Sequence, residues 1–551
     1  MTTRAAGDIA AASRAIRERL VEDAAMSPLH RAVLACVAPA LLSCAAPPVA
    51  SPAPPAVSPA PQAVSPAPQA VSPTPPAAPA PATPAAPVEP RTVQSYIRVA
   101  TPRVVLAHVR MIDGTGHAAV DDRNITLDHG KITAIDAGAD VAATADTTVL
   151  DLRGRSVIPG LVGMHDHLFY IASPNFDEHW ASEPPRIVPE MIFSSPRLYL
   201  AAGVTTMRTT GSVEPYTDLN LKREIDAGRL IGPHIDVTGP YLEGPGSPFV
   251  QMHQLGSPAE ARDFVNYWAD RGVTSFKAYM NITRAQLKAA IDAAHRRHIK
   301  VTGHLCSVTY AEAAELGIDD LEHGFFVNTQ LAAGKQPDLC PKPSGPSTLE
   351  QMTPGGPEAT ALIAKLVQRH VAITSTLPVF ESNIPGRPPL RQAVLDAMLP
   401  QARQAYLYAR QRPATLPPRT SDPAALLKRD MELERAFVAA GGLLIAGPDP
   451  TGNGGVVAGF GDQREVELLV EAGFSPVEAI QIATLNGATY LGQQAKIGSI
   501  AVGKNADLVV IQGDPSTKIS DIENVELVFK DGVGFDSAKL LASVKEHYGQ
   551  Y

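Results

Sequence analysis

Between residues 157 and 447 the chain repeats one pattern eight times: a short apolar run with strand character, then a polar break or a helical stretch. The runs are Val157–His165, Val204–Thr209, His234–Thr238, Ser275–Tyr279, Lys300–Leu305, Asp320–Gly324, Val371–Leu377 and Leu443–Gly447. Helical stretches such as "RAQLKAAIDAAHRRH", "YAEAAELG" and "SPVEAIQIATLNGATYLG" fall between or after them. Eight such strands alternating with helices predict an α/β fold, a (β/α)8 TIM-type barrel. Short β-rich runs separated by Gly and Asp turns lie at the two ends, "RVVLAHVRMIDG" and "NITLDHGKITAIDAG" early, "ADLVVIQGD" and "NVELVFKDG" late. They predict a small β-sandwich domain built from both chain ends, residues 96–156 and 497–540, around a barrel at 157–496. The proline-rich stretch Pro378–Pro423 reads as an insertion or lid beside that barrel.

The first 95 residues do not belong to this pattern. From Met26 the chain reads "MSPLHRAVLACVAPALLSC": a basic residue, an apolar core, then "LLSC" ending at Cys44. This is the layout of a bacterial secretory signal, and "LLSC" resembles the lipobox, whose cysteine is lipidated. Residues 1–44 are therefore read as an upstream extension, with Met1 or Met26 as the start, followed by a lipoprotein-type signal. The expected location is exported, periplasmic or anchored to the outer membrane through lipid. At 45–95 the unit AVSPAPQ recurs in an Ala/Pro-rich tract. Proline removes backbone donors and forbids helix, so this is an extended tether without a core.

The chain is 45% hydrophobic and 19% charged, with a formal net charge of −9. That balance lacks the basic footprint of a nucleic-acid binder. No apolar run reaches the length a membrane span requires, leaving a lipid anchor as the expected membrane contact. Only four cysteines are present; Cys306 and Cys340 are the two beyond the signal segment, and spacing alone leaves their pairing open.

Chemistry in a barrel of this type sits at the C-terminal ends of its strands. The first run ends in "GMHDH", where His165 and His167 are two residues apart and so share a face. Such a pair is either a metal-binding pair or two solvated histidines. Lys277 lies in the fourth run, His304 and His323 end the fifth and sixth, and Asp449 follows the eighth. Imidazole and carboxylate ligands suit zinc and related divalent ions. Burial would push Lys277 toward its neutral amine, which can add CO2 and become an anionic carbamate ligand.

These stretches, "PGLVGMHDH", "TSFKAYM", "KVTGHLC", "DDLEHG", "LIAGPD" and "GSIAVGKNADLVVIQGD", resemble the amidohydrolase superfamily over about residues 98–535. "FKAYMN" and "HLCSVTYAEAAELGIDDLEHGFF" resemble its branch of prolidase-like dipeptidases and ochratoxin-hydrolysing enzymes. Pro448 departs from the pattern, since many relatives carry Thr or Ser there. The resemblance implies two divalent metal ions, zinc by expectation. His165, His167 and Asp449 would hold one, His304 and His323 the other, and carboxylated Lys277 would bridge them. A bridging water would be the nucleophile and Asp449 its proton acceptor. Tyr279 would bind a substrate carboxylate or pack as a barrel aromatic. His253 and Arg208 are further candidates for substrate contact, the former alternatively a loop histidine and the latter a structural ion pair.

The expected substrate is a small molecule: an N-acyl amino acid or dipeptide with a free C-terminal carboxylate, ochratoxin A among them. A homo-oligomer is expected. Two alternatives stand beside this reading. One is a mononuclear deaminase or imidazolonepropionase-like ring hydrolase, which the bridging Lys277 disfavours. The other is an inactive, tethered surface-binding lipoprotein.

Overall fold

The structure, a computed structural model, describes residues 92–172, 186–188, 191–247, 249–342, 347–411, 421–451 and 455–549. The chain divides into two units, Met1–Ala86 and Pro87–Tyr551, and all described residues lie in the second. The signal-like segment with Cys44 lies outside the described residues, as does nearly all of the tether.

Eight parallel strands run edge to edge. Leu161–Asp166 pairs with Val204–Thr209, which pairs with His234–Asp236. Parallel bridges from Thr238 to Ser275 and from Leu242 to Ala278 carry the series to Ser275–Ala278. Lys300–Gly303, Asp320–Glu322, Ala372–Ser375 and Leu444–Ala446 follow in register. The circuit closes where the Asp449 amide donates to the His165 carbonyl at 3.0 Å. Gly447 permits that closure: a Cβ there would lie 2.2 Å from the His165 amide nitrogen. Helices including Pro258–Ala269, Arg284–His295, Tyr310–Leu316 and Pro357–Gln368 cover the ring. Thr283 with Gln286 and Thr309 with Glu312 form reciprocal caps that fix where two of them start relative to the preceding strand.

The strands at the two chain ends form one hydrogen-bonded path rather than two separate sheets. Leu508–Gln512, from the C-terminal part, lies antiparallel between Arg155–Pro159 and Val525–Lys530. Val104, Leu106, Ile125, Leu508, Val510 and Phe529 give this nine-stranded sheet a core of its own.

The run expected as one strand, Val157–His165, is two. Residues Arg155–Pro159 belong to the terminal sheet and Leu161–Asp166 to the ring. The break falls at Gly160, where a Cβ would meet the Thr205 hydroxyl at 2.0 Å. An apolar run does not reveal which sheet its two halves pair with. Within Pro378–Pro423, helices Gln392–Ala397 and Pro400–Arg410 are described, and the Leu399 amide donates to the carbonyl of Tyr548 at 2.8 Å. This part of the insertion is thus stitched to the chain's C-terminal residues. Among the described residues, no helix is long and apolar enough to cross a membrane.

Candidate metal centre

His165 is the penultimate residue of the first ring strand and His167 lies one past its end. Because they are two apart they project together, while Asp166 between them turns away toward Asp462 and is pushed well above the usual carboxylate range by burial and that second carboxyl. Lys277 is in the fourth strand, His304 directly follows the fifth, His323 the sixth, and Asp449 lies three residues past the eighth. The ring brings all six to one end.

The separations are short. His167 Nε2 lies 3.1 Å from Asp449 Oδ1. His165 Nε2 lies 3.7 Å from the same oxygen and 3.0 Å from Lys277 Nζ. His323 Nδ1 is 4.0 Å from Asp449 Oδ2, and its ring centroid is 4.6 Å from that of His165 and 4.5 Å from that of His304. One ligand atom from each of His165, His167 and Asp449 lies within 4.8 Å of the others. Asp449 is the group most open to solvent among those in these ion pairs, with 13% of its side chain exposed. His323 and Asp449 both hold left-handed backbone, with φ of 71° and 53°. Non-glycine residues rarely do so, and such positions cluster at functional sites.

Burial drives His165 and His323 well below the ordinary imidazole range and His304 down to about 3. Burial thus favours the neutral form of these rings, which has a lone pair to offer. Burial also lowers Lys277. For Asp449 burial works in the opposite sense, but His165 and His167 beside it outweigh that and hold the carboxyl below its usual range. Neutral imidazoles, an ionised carboxylate and a lysine biased toward its amine, gathered in a buried pocket, fit divalent metal.

Sequence reasoning missed the group that orients the first ligand. Nδ1 of His165 donates to Glu322 Oε2 at 2.7 Å, both side chains being fully buried. That leaves Nε2 of His165 facing the cluster, an arrangement common around metal-bound imidazoles. Glu322 Oε1 accepts from Arg208 Nη2 at 2.9 Å and from Thr302, and Arg208 also reaches Asp320 at 2.9 Å. Of the two readings of Arg208, the structure supports the interior ion pair, its Nη2 lying on Asp320 and Glu322 inside the ring, and not the substrate contact. The signal was present in "DDLEHG": Asp320 and Glu322 alternate and so share one face of a strand. His323 Nδ1 is similarly placed against Thr376 Oγ1 at 2.9 Å.

For His253 the loop alternative fits, and the substrate contact does not. It pairs with Glu260 at 2.8 Å, stacks on Phe264 of an outer helix and has 52% of its side chain exposed. Tyr279 is brought beside the centre, its ring edge-on to His304 and to Tyr241, with centroids 5.0 and 4.9 Å away. Cys306 and Cys340 are joined by a disulfide, with Cα atoms 4.9 Å apart. The bridge ties down the segment that follows His304.

Residues 156–340 and 453–533 match the amidohydrolase family. All of the six clustered residues except Asp449 lie inside the matched stretches. A dihydroorotase of Thermoanaerobacter sp. (strain X514) is 40% identical over 76 residues, 14% of this chain, and the chain spans only 16% of that relative's length. Among solved structures, a Xaa-Pro dipeptidase with methionine bound in its active site is similar, with a TM-score of 0.57 at 21% identity, covering 79% of this chain and 100% of that one. The ochratoxinase of A. niger has a TM-score of 0.55 at 16% identity, covering 79% and 96%. Likeness at these identities speaks to the fold.

Proposed function

With an amidohydrolase-family core at residues 156–340 and 453–533 as premise, we propose that the chain is a metal-dependent hydrolase, a (β/α)8 barrel that cleaves the amide bond of N-acyl amino acids or dipeptides with a free C-terminal carboxylate. The observation that carries the reading is Lys277: a buried amine 3.0 Å from His165 Nε2, lowered by its burial, amid imidazoles and Asp449. A plain ammonium would oppose metal there, whereas a carboxylated lysine supplies the anion that two cations need. His165, His167 and Asp449 would hold one divalent ion and His304 and His323 the other, with Lys277 between them. Ions so held would acidify a water toward neutral pH and polarise the scissile carbonyl.

The remaining work falls to the chain. Asp449, whose carboxyl is held below its usual range, keeps some solvent exposure and is anchored by His167 at 3.1 Å. Its carboxylate would accept the nucleophile's proton at one oxygen and return it to the leaving amine nitrogen. Glu322 would keep His165 in the tautomer whose Nε2 faces the ions. Tyr279, edge-on to His304, would donate its hydroxyl to the substrate carboxylate and so orient the carbonyl. A dipeptidase neighbour with methionine in its active site and an ochratoxinase neighbour support this substrate class, which includes ochratoxin A cleaved to ochratoxin α and phenylalanine.

Export behind a lipobox at Cys44 is part of the same proposal. The test is a hydrolysis screen of N-acyl amino acids and dipeptides with the metal-loaded chain. Release of the free amino acid is expected. Absence of turnover on every member, with metal bound, overturns the substrate class.

A further inference from the structure

A second group of ligand-type side chains lies at the other end of the ring. His234 opens the third ring strand, so it sits at the N-terminal end, away from the strand ends that carry the centre above. Asp507 and Asp531 come from the terminal sheet, directly before Leu508–Gln512 and directly after Val525–Lys530. One ligand atom from each of the three lies within 4.8 Å of the other two.

From this geometry we propose that His234, Asp507 and Asp531 form a structural binding site for one divalent ion of the zinc class, clamping the ring to the sheet built from the chain ends. His234 Nε2 lies 3.0 Å from Asp531 Oδ2. Two ligands on one zinc ion, each bonded at about 2.0–2.2 Å, sit at about that separation or slightly more. The other ring nitrogen, Nδ1, faces Asp226 Oδ1 at 3.5 Å, and Lys222 holds Asp226 at 2.8 Å. An imidazole with one nitrogen toward two carboxylates and the other toward a third has the outer-shell pattern of a metal-ligating histidine.

Asp507 is the independent sign of a missing partner. The residue is 5% exposed. Its Oδ1 accepts from the Asp531 amide at 2.8 Å, while Oδ2 is buried with no hydrogen-bond partner. A buried carboxylate oxygen without a partner is costly, and burial together with Asp531 pushes this carboxyl up. The nearby cation, Lys530, reaches Asp531 Oδ2 at 3.5 Å and leaves Asp507 Oδ2 unmet. A divalent ion would satisfy that oxygen, and the half-exposed Asp531 leaves it a route in from solvent.

This inference is independent of the function proposed above. Zinc bound per chain is measured by elemental analysis on the full chain, stripped, reloaded with Zn2+ and desalted, for wild type, Asp531→Asn, His234→Gln and Lys530→Met. Asparagine tolerates the left-handed backbone at 531, where φ is 51°, and His234 is partly exposed, so both variants should fold. Each should hold one zinc fewer than wild type, and that loss should add to whatever loss Lys277→Ala produces. Lys530→Met, which removes the competing cation and no ligand, should keep the full count. Equal zinc in wild type, Asp531→Asn and His234→Gln overturns the site. So does a Lys530→Met protein that holds less zinc than wild type.

Discussion

Nδ1 of His165 donates to Glu322 Oε2 at 2.7 Å, while Nε2 of the same ring lies 3.0 Å from the amine of Lys277. One fully buried carboxylate therefore sets the tautomer, and with it the direction of the lone pair the centre uses. Glu322→Gln keeps the shape and removes the charge that favours Nδ1–H. Metal affinity should fall about 10–100-fold, the usual cost of losing such a partner. Metal titration of the stripped protein measures it, and unchanged affinity would separate Glu322 from the centre.

Lys277→Ala should lose at least one metal equivalent, because Asp449, 3.7 Å from His165 and 4.0 Å from His323, would be left as the carboxylate facing two cations. Small carboxylates such as acetate should restore part of the loss by standing in for the carbamate. Elemental analysis with and without acetate reads this directly. Full metal content and undiminished turnover in Lys277→Ala would remove the dinuclear reading.

The six clustered residues were legible because parallel strands deliver their C-terminal residues to one place, whatever the loops between them do. Positions such as His304 and His323 need only a correct strand end. Arg208 and His253 each kept two readings for a different reason. A strand-end arginine looks the same in sequence whether it meets substrate or, as here, Asp320 and Glu322. A loop histidine does not reveal that Glu260 and Phe264 will claim it. Gly160 was hidden inside an apolar run, since the pairing of Arg155–Pro159 with Leu508–Gln512 spans more than 340 positions. Contacts that distant carry no local signal.

The buried imidazoles also set an acid limit. A base whose folded pKa lies below its unfolded value takes up protons on unfolding, so its contribution is present above the unfolded value and lost as pH falls. For His304 the window runs from about 6.5 down to about 3. Within it the metal-free protein should lose up to about 1.4 kcal/mol per pH unit for each such group. Denaturant titrations of the stripped chain at pH 7 and pH 5 should differ accordingly, and equal stabilities would contradict neutral burial of His304.

For location, a chain expressed from Met26 in a bacterial host with lipoprotein processing should partition with membranes, and Cys44→Ser should release it or leave it uncut. Fractionation and N-terminal analysis decide this. An uncut protein wholly in the cytosol removes the lipobox.

Substrate choice rests on Tyr279. Its ring stands edge-on to His304 at 5.0 Å and to Tyr241 at 4.9 Å, and burial pushes its phenol above the ordinary range, so the hydroxyl keeps its proton and can donate. A charge-assisted hydrogen bond from that hydroxyl to the substrate carboxylate would hold the scissile carbonyl against the centre. Tyr279→Phe should then weaken transition-state binding of the free acid by about 1–3 kcal/mol while hardly touching an ester-capped analogue. The comparison of kcat/KM for the two substrates in both proteins isolates the contact, because a packing role for the ring would affect them alike. If wild type turns over free-acid and capped substrates at equal rates, recognition of the carboxylate is absent and the proposed substrate class falls with it.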